Sequence, residues 1–240
     1  MAKMMLEIEQ LAYQFTGDYA ESMEFDLSVA AGEVLSLIGP SGSGKSTLLN
    51  LIAGFLKPAS GRIRVNGQAI EHKPAAQRPV TIVFQQHNLF PHLDLYTNVA
   101  LGVNPSLKLS AEQDQVIKDA LDSLGLSGLE NRKPGELSGG QRQRVALARA
   151  LVRDRSILLL DEAFAALGPA LREELIMLVK SLVERKKMAA LLVSHQPGDA
   201  LIASHRTAFI HDGRVIALQP TRQLLEKSDL AEVRSYLGSL

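Results

Sequence analysis

Apolar positions recur at two spacings along the chain. Over residues 4–15 and 22–29 they alternate loosely with polar ones, as in a strand with one buried face. Gly17-Asp18 between them predicts a turn, so the two segments read as an antiparallel β-layer. Residues 33–38, 80–84, 157–160 and 188–193 are short, nearly continuous apolar runs, expected of strands buried on both faces. Two more strands, 207–210 and 215–218, flank the hairpin turn His211-Asp212-Gly213-Arg214. Elsewhere the period is helical. Leu48, Leu49, Leu51 and Ile52 follow a Gly-rich loop. Val116, Leu121 and Leu124 mark an amphipathic helix that opens on Ser110-Ala111-Glu112-Gln113, a stretch with capping chemistry. A turn over 135–140 precedes a helix over 142–152, marked by Val145, Leu147, Ala148 and Leu151. Residues 171–187 predict a long helix, and 221–237 a helical tail. The charged runs Arg172-Glu173-Glu174 and Arg185-Lys186-Lys187 read as faces that meet water. Strands alternating with helices predict an α/β core around a parallel sheet, interrupted by a mostly helical region over about 87–150.

Composition narrows the classes. The 240 residues are 46% apolar, enough for a sizeable core, and 22% charged, too few for a solvated, disordered chain. Lysine plus arginine (26) balances aspartate plus glutamate (26), which argues against a broad nucleic-acid surface. The absence of cysteine excludes disulfide scaffolds, thiolate metal sites and cysteine nucleophiles, and it points to the reducing cytoplasm. Residues 1–10 do not read as a signal peptide. The longest apolar run, 188–193, is far short of the roughly 20 residues a membrane-spanning helix needs.

The loop after the third strand reads Gly39-Pro40-Ser41-Gly42-Ser43-Gly44-Lys45-Ser46-Thr47 and fits G-x-x-x-x-G-K-[ST] in full. Its glycines let successive N–H groups turn inward toward phosphate, and the helix that follows aims its positive end at the same point. Lys45 can neutralise the terminal phosphates of a nucleotide, and the Ser46 hydroxyl can ligate Mg²⁺. An acid at the end of an apolar strand should complete such a site. Ile157-Leu158-Leu159-Leu160-Asp161-Glu162 supplies two: Asp161 to hold Mg²⁺ through water, and Glu162 to orient or deprotonate an attacking water.

A phosphate loop is shared by kinases, GTPases and ATPases. Leu137-Ser138-Gly139-Gly140-Gln141 discriminates among them. It opens a helix, so Ser138 and the amides of Gly139 and Gly140 form a second anion cradle far from the first in sequence. Two cradles suggest two copies facing each other, each completing the other's site. With these residues in order, the chain resembles the ATP-binding subunits of ABC transporters over nearly its whole length. Val83-Phe84-Gln85 and Val193-Ser194-His195 match two further motifs of that family.

The resemblance implies a P-loop NTPase fold of the ABC type: one nucleotide-binding domain over 1–240. It would have a RecA-like core (about 1–86 and 151–240), an antiparallel β-subdomain and a helical subdomain (about 87–150). It implies ATP and Mg²⁺ as ligands. Gln85 would contact Mg²⁺ or the attacking water, and His195 the γ-phosphate and Glu162. Gln141 belongs to the cradle donated to the opposite copy. An aromatic should stack on adenine, Phe15 by preference and Tyr13 as runner-up. The other histidines, such as His87 and His205, read as bystanders without metal-ligand spacing. Two departures stand out: Ala163 replaces the family's proline after Glu162, and Gly168 replaces its aspartate at a dimer contact.

A separate ATPase chain without a spanning segment fits a bacterial importer. The partners would be a second copy, an integral membrane permease contacted through Phe90-Pro91-His92-Leu93, and, indirectly, a periplasmic solute-binding protein. The location would be the cytoplasmic face of the inner membrane. Four stretches resemble the ATPases of thiamine importers: residues 48–61, 78–80, 88–90 and 101–109. Iron, molybdate, sulfate and polyamine are the alternative solutes. A non-transport ABC ATPase, a non-hydrolysing nucleotide module and a small-molecule kinase are the alternative classes.

Overall fold

The computed structural model describes residues 3–15, 22–84 and 88–238. The Gly17-Asp18 turn, Gln85 and His87 lie outside the described residues. In chain order the elements are β1 (Met4–Gln14), β2 (Ser22–Ala30), β3 (Val34–Ile38), α1 (Lys45–Ala53), β4 (Ser60–Val65), β5 (Gln68–Ala69), β6 (Val80–Phe84), α2 (Leu95–Val103), α3 (Ala111–Ser123), α4 (Gly139–Leu151), β7 (Ile157–Asp161), α5 (Pro169–Lys186), β8 (Ala189–Val193), α6 (Pro197–Ala203), β9 (Arg206–His211), β10 (Arg214–Pro220), α7 (Thr221–Lys227) and α8 (Ala231–Gly238).

One sheet has the order β5-β4-β1-β2-β10-β9-β3-β8-β7-β6. From β9 to β6 the strands are parallel, whereas β1, β2 and β4 pair antiparallel. The apolar runs are explained by this arrangement. Along β7, Ile157 and Leu159 enter a core with β1, β2, β3 and α1, while Leu158 and Leu160 enter a second core with α2 to α5. A strand covered on both faces has no polar face to alternate with. A third, smaller core joins Ile38 and Phe209 to α7 and α8 through Leu224, Val233 and Tyr236.

The capping chemistry at Ser110 is a full capping box: Gln113 N–H donates to Ser110 Oγ (3.2 Å) and Ser110 N–H to Gln113 Oε1 (3.0 Å). Several expectations are corrected. Val116 is 47% exposed, and Ile117, one position on, faces the core instead. The helix expected from 142 begins at Gly139, because Ser138 caps it. The helical tail is two helices. Arg172 does not meet water; it is 8% exposed.

Arg78 anchors the far end of α1. Its Nη1 donates to the carbonyls of Leu51 (2.6 Å) and Ile52 (2.9 Å), Nε to that of Lys73 (2.9 Å) and Nη2 to that of Glu71 (2.8 Å). These contacts place a cation on the last carbonyls of a helix, where the dipole favours it; Leu51 O also accepts from Gly54 N–H (3.3 Å).

Candidate active site

The phosphate loop leaves the end of β3, which lies between β8 and β9 among the parallel strands. Gly39 has φ 146°, and a Cβ there would lie 2.0 Å from the Ile210 carbonyl oxygen, so only glycine fits this close approach. Lys45 Nζ folds back over the loop and donates to the carbonyls of Gly39 (2.8 Å) and Pro40 (2.6 Å) and to Ser43 Oγ (3.3 Å). Burial pushes the Lys45 ammonium below its ordinary value, and the charges of Glu162 and Asp161 offset part of that. Pro40, Ser41, Gly42 and Ser43 line a cleft of about 480 Å³ that reaches the His211-Asp212-Gly213 hairpin. Thr47 follows in the first turn of α1.

Parallel register brings the remaining groups to the same edge. Phe84, Asp161 and Val193 are aligned at the ends of β6, β7 and β8. Glu162 and His195, just beyond the ends of β7 and β8, therefore gather beside the loop. Ser46 Oγ donates to Asp161 Oδ1 at 3.2 Å. Burial raises the Asp161 carboxyl, the Ser46 hydrogen bond lowers it, and the Glu162 charge raises it further. Glu162 has φ 51°, unusual for a side chain of its size, and its N–H donates to the Val193 carbonyl (3.2 Å). Its Oε1 lies 2.6 Å from His195 Nε2.

Ser138 and Gln141 close a second capping box, with Gln141 N–H on Ser138 Oγ (3.2 Å) and Ser138 N–H on Gln141 Oε1 (2.9 Å). Ser138 and Gly139 are exposed, and Gly140 and Gln141 half-buried. Among the described residues, no hydrogen bond joins this cradle to the phosphate loop of its own chain. Phe15 is exposed just past β1 and meets Tyr13 edge to face with centroids 4.9 Å apart.

Sequence reasoning missed the supports under this site. Arg172 Nε donates to the Phe164 carbonyl (3.1 Å), and Nη2 to those of Ala165 (2.9 Å) and Leu167 (3.5 Å). Asp199 Oδ2 accepts from Ser194 Oγ (2.5 Å). Only the folded chain reveals them, since Arg172 sits in an ordinary charged run and Asp199 follows Pro197-Gly198, which reads as a turn.

A family model described as "ABC transporter" matches residues 23–165. The thiamine import ATP-binding protein ThiQ of Photobacterium profundum is 48% identical over 217 residues, covering 90% of each chain. Its counterpart from Escherichia coli O157:H7 is 49% identical over 216 residues, 90% of this chain and 92% of that one. Among solved structures, the ATP-binding cassette MJ0796, dimeric and bound to ADP and Pi, superimposes with TM-score 0.79 at 30% identity, covering 91% of this chain and 99% of that one. The ADP conformation of the cassette MJ1267 gives TM-score 0.84 at 27% identity, covering 97% and 98%. With a phosphate loop, an acid-tipped strand and a family match across more than half its length, this chain belongs to the ABC transporter family of ATPases.

Proposed function

We propose that the chain is the ATP-hydrolysing subunit of a bacterial thiamine importer. It would work as a pair of copies against a membrane permease on the cytoplasmic face of the inner membrane, with a periplasmic binding protein delivering the solute. The observation that carries the hydrolytic part is the 2.6 Å contact between Glu162 and His195 beside the Ser46–Asp161 pair. The solute rests on the 48–49% identity to proteins named for thiamine import.

The residues fit the ligands. A lysine already seated on loop carbonyls offers its charge to the phosphates of ATP. Ser46 Oγ and the Asp161 carboxylate form a hard-oxygen donor set that suits Mg²⁺, which would supply charge neutralisation at the phosphates. Glu162 accepts the proton of the attacking water, and His195 holds the carboxylate in place and donates toward the γ-phosphate. Gln85 is proposed as a further contact to that water. Phe15 stacks on adenine. Ser138, Gly139, Gly140 and Gln141 meet the nucleotide of the opposite copy, which closes the pair around ATP.

A groove of about 460 Å³, lined by Phe55, Phe84, Phe90, Arg149 and Arg153 among others, supports a permease contact next to Phe90-Pro91-His92-Leu93. Arg149 lies 6.0 Å from the centre of the Phe90 ring. No described helix is long and apolar enough to cross a membrane.

The test is uptake of labelled thiamine in cells lacking the chain, restored with wild type or Glu162→Gln. Rescue by wild type alone is the expected result. Normal uptake without the chain removes thiamine as the solute, and rescue by Glu162→Gln removes Glu162 from the chemistry.

A further inference from the structure

The geometry of Glu162 against His195 depends on two separate loops, and each is tied down by a buried charged residue with no part in the chemistry. Glu162 occupies left-handed backbone, a conformation that costs about 1–3 kcal/mol and persists only where the surroundings over-determine it. Ala165 N–H donates to the Glu162 carbonyl (3.1 Å), and the Ala165 carbonyl accepts from Arg172. Arg172 also holds Phe164 and Leu167, so one guanidinium fixes three carbonyls of the loop that follows Glu162. Across the site, Ser194 Oγ accepts from Gln196 N–H (3.0 Å), closing a turn around His195, and the same hydroxyl donates to Asp199. Asp199 N–H reaches back to the Gln196 carbonyl (3.0 Å).

Arg172 and Asp199 are 8% and 5% exposed, and both face a cavity of about 80 Å³ whose other walls include Glu162, Phe164, Ser194 and His195. Burying such a charge is costly unless hydrogen bonds satisfy it, and each is satisfied on its own loop, Arg172 by three carbonyls and Asp199 by the Ser194 hydroxyl. An apolar side chain could fill the space under either loop. It could not fix three carbonyls or a hydroxyl, since packing has no direction and a planar fork does.

We infer that Arg172 and Asp199 are positioning residues for hydrolysis: two buried charged groups on one small cavity, Arg172 seating the Glu162 loop and Asp199 the His195 turn from beneath. The inference rests on the hydrolytic reading of Glu162 given above.

The test uses full-length Arg172→Lys and Asp199→Asn, each co-purified with the membrane subunit, with wild type and Glu162→Gln alongside. Lysine keeps the charge but loses the fork, and asparagine keeps the shape but turns the short, charge-assisted Ser194 bond into a weaker neutral one. The expected result is a kcat lowered between about tenfold and 100-fold, with the Kd for labelled ATP within about twofold of wild type. Such a split separates positioning from support of the fold, which would move Kd and Tm together. A kcat within about twofold of wild type in both variants, with Glu162→Gln inert, overturns the inference alone. A parallel loss of ATP affinity, or of the fold, in both overturns it as well. Wild-type turnover by Glu162→Gln overturns the hydrolytic reading on which it rests.

Discussion

Replacing Arg78 with methionine removes one side chain and unpairs the end of the helix that carries Lys45 and Ser46. Arg78 is 2% exposed and serves four carbonyls. Both the Leu51 and Ile52 bonds are buried, so water does not replace the lost donors; Leu51 O keeps Gly54 N–H (3.3 Å), whereas Ile52 O has no other donor among the described residues. Each unsatisfied buried carbonyl costs about 1–3 kcal/mol. Loss of a cation at the helix C-terminus adds about 0.3–1 kcal/mol. The contacts to Lys73 and Glu71 are partly buried and recover hydration, and methionine spares the desolvation of a guanidinium. Arg78→Met should therefore lose about 2 kcal/mol of folding stability. In a chain of this size that is a Tm fall of about 6 °C. Urea unfolding followed by far-UV circular dichroism measures it, because the chain has no tryptophan to report by fluorescence. An unchanged m-value shows that the unfolded reference has stayed the same. Arg78→Lys should fall between the two, retaining the charge but not the fork. A loss below about 1 kcal/mol in Arg78→Met would refute the idea that these carbonyls depend on Arg78.

Three further outcomes are expected. Gly61 has φ 90°, and a Cβ there would lie 2.2 Å from the Gln10 carbonyl oxygen and 2.5 Å from Leu11 Cα. Both are backbone atoms, so Gly61→Ala should cost about 3 kcal/mol or more by thermal melt. Ser138→Ala should lose about 1 kcal/mol of stability as a cap mutation, and it should lower ATPase activity without changing the Kd of a single chain for ATP. The Tyr96 hydroxyl donates to Asp114 and so joins α2 to α3. Burial first, then the hydrogen bond and charge of Asp114, push the phenol from 10.0 up to about 12. Lys118 and Tyr96 hold the Asp114 carboxyl below its ordinary value. The phenol's contribution is complete below its ordinary pKa and is lost as pH rises toward 12. The carboxylate's is complete above its ordinary value and is lost as pH falls through the depressed one. Tyr96→Phe should lower Tm at neutral pH, with the gap closing at both extremes of a pH series.

The parts of the site legible in the sequence are those set by short, contiguous chemistry. The phosphate loop needs glycines at fixed steps, and an acid at the tip of an apolar strand is conspicuous because the strand has no other charge. The strands of the parallel core are legible for the same reason. Strands β4 and β5 escape notice because Ser60-Gly61-Arg62-Ile63-Arg64-Val65 is short and its arginines face outward. Helix α2 escapes because Tyr96, Thr97, Val99 and Val103 are weak helix formers. Asp94 caps it by accepting from Thr97 N–H (2.7 Å), and its first N–H groups donate to the carbonyls of Arg132 (2.8 Å) and Glu130 (3.0 Å). Helix α6 has seven residues and opens Pro197-Gly198, which locally favours a turn. Arg172 is the most instructive case. Its neighbours Glu173 and Glu174 are exposed, and only the helical rotation of α5 turns it inward.

The sheet contains a fault line. Strands β2 and β10 share one registered pair, Glu24 with Arg214, whereas β3 and β8 share four. Beside that pair, Glu24 N–H donates to the Gly213 carbonyl (2.8 Å) and Arg206 Nη2 to the Ser28 carbonyl (2.8 Å), and Gly213 N–H in turn donates to Ser43 O (3.1 Å) in the phosphate loop. Apolar packing resists separation but keeps no register. The layer built on β1 and β2 is therefore held to the layer that carries Lys45 by a few point contacts rather than by a backbone ladder. The hairpin tip at Gly213 is one of those rivets, and it is the one that joins the β2 layer directly to the loop that cradles phosphate.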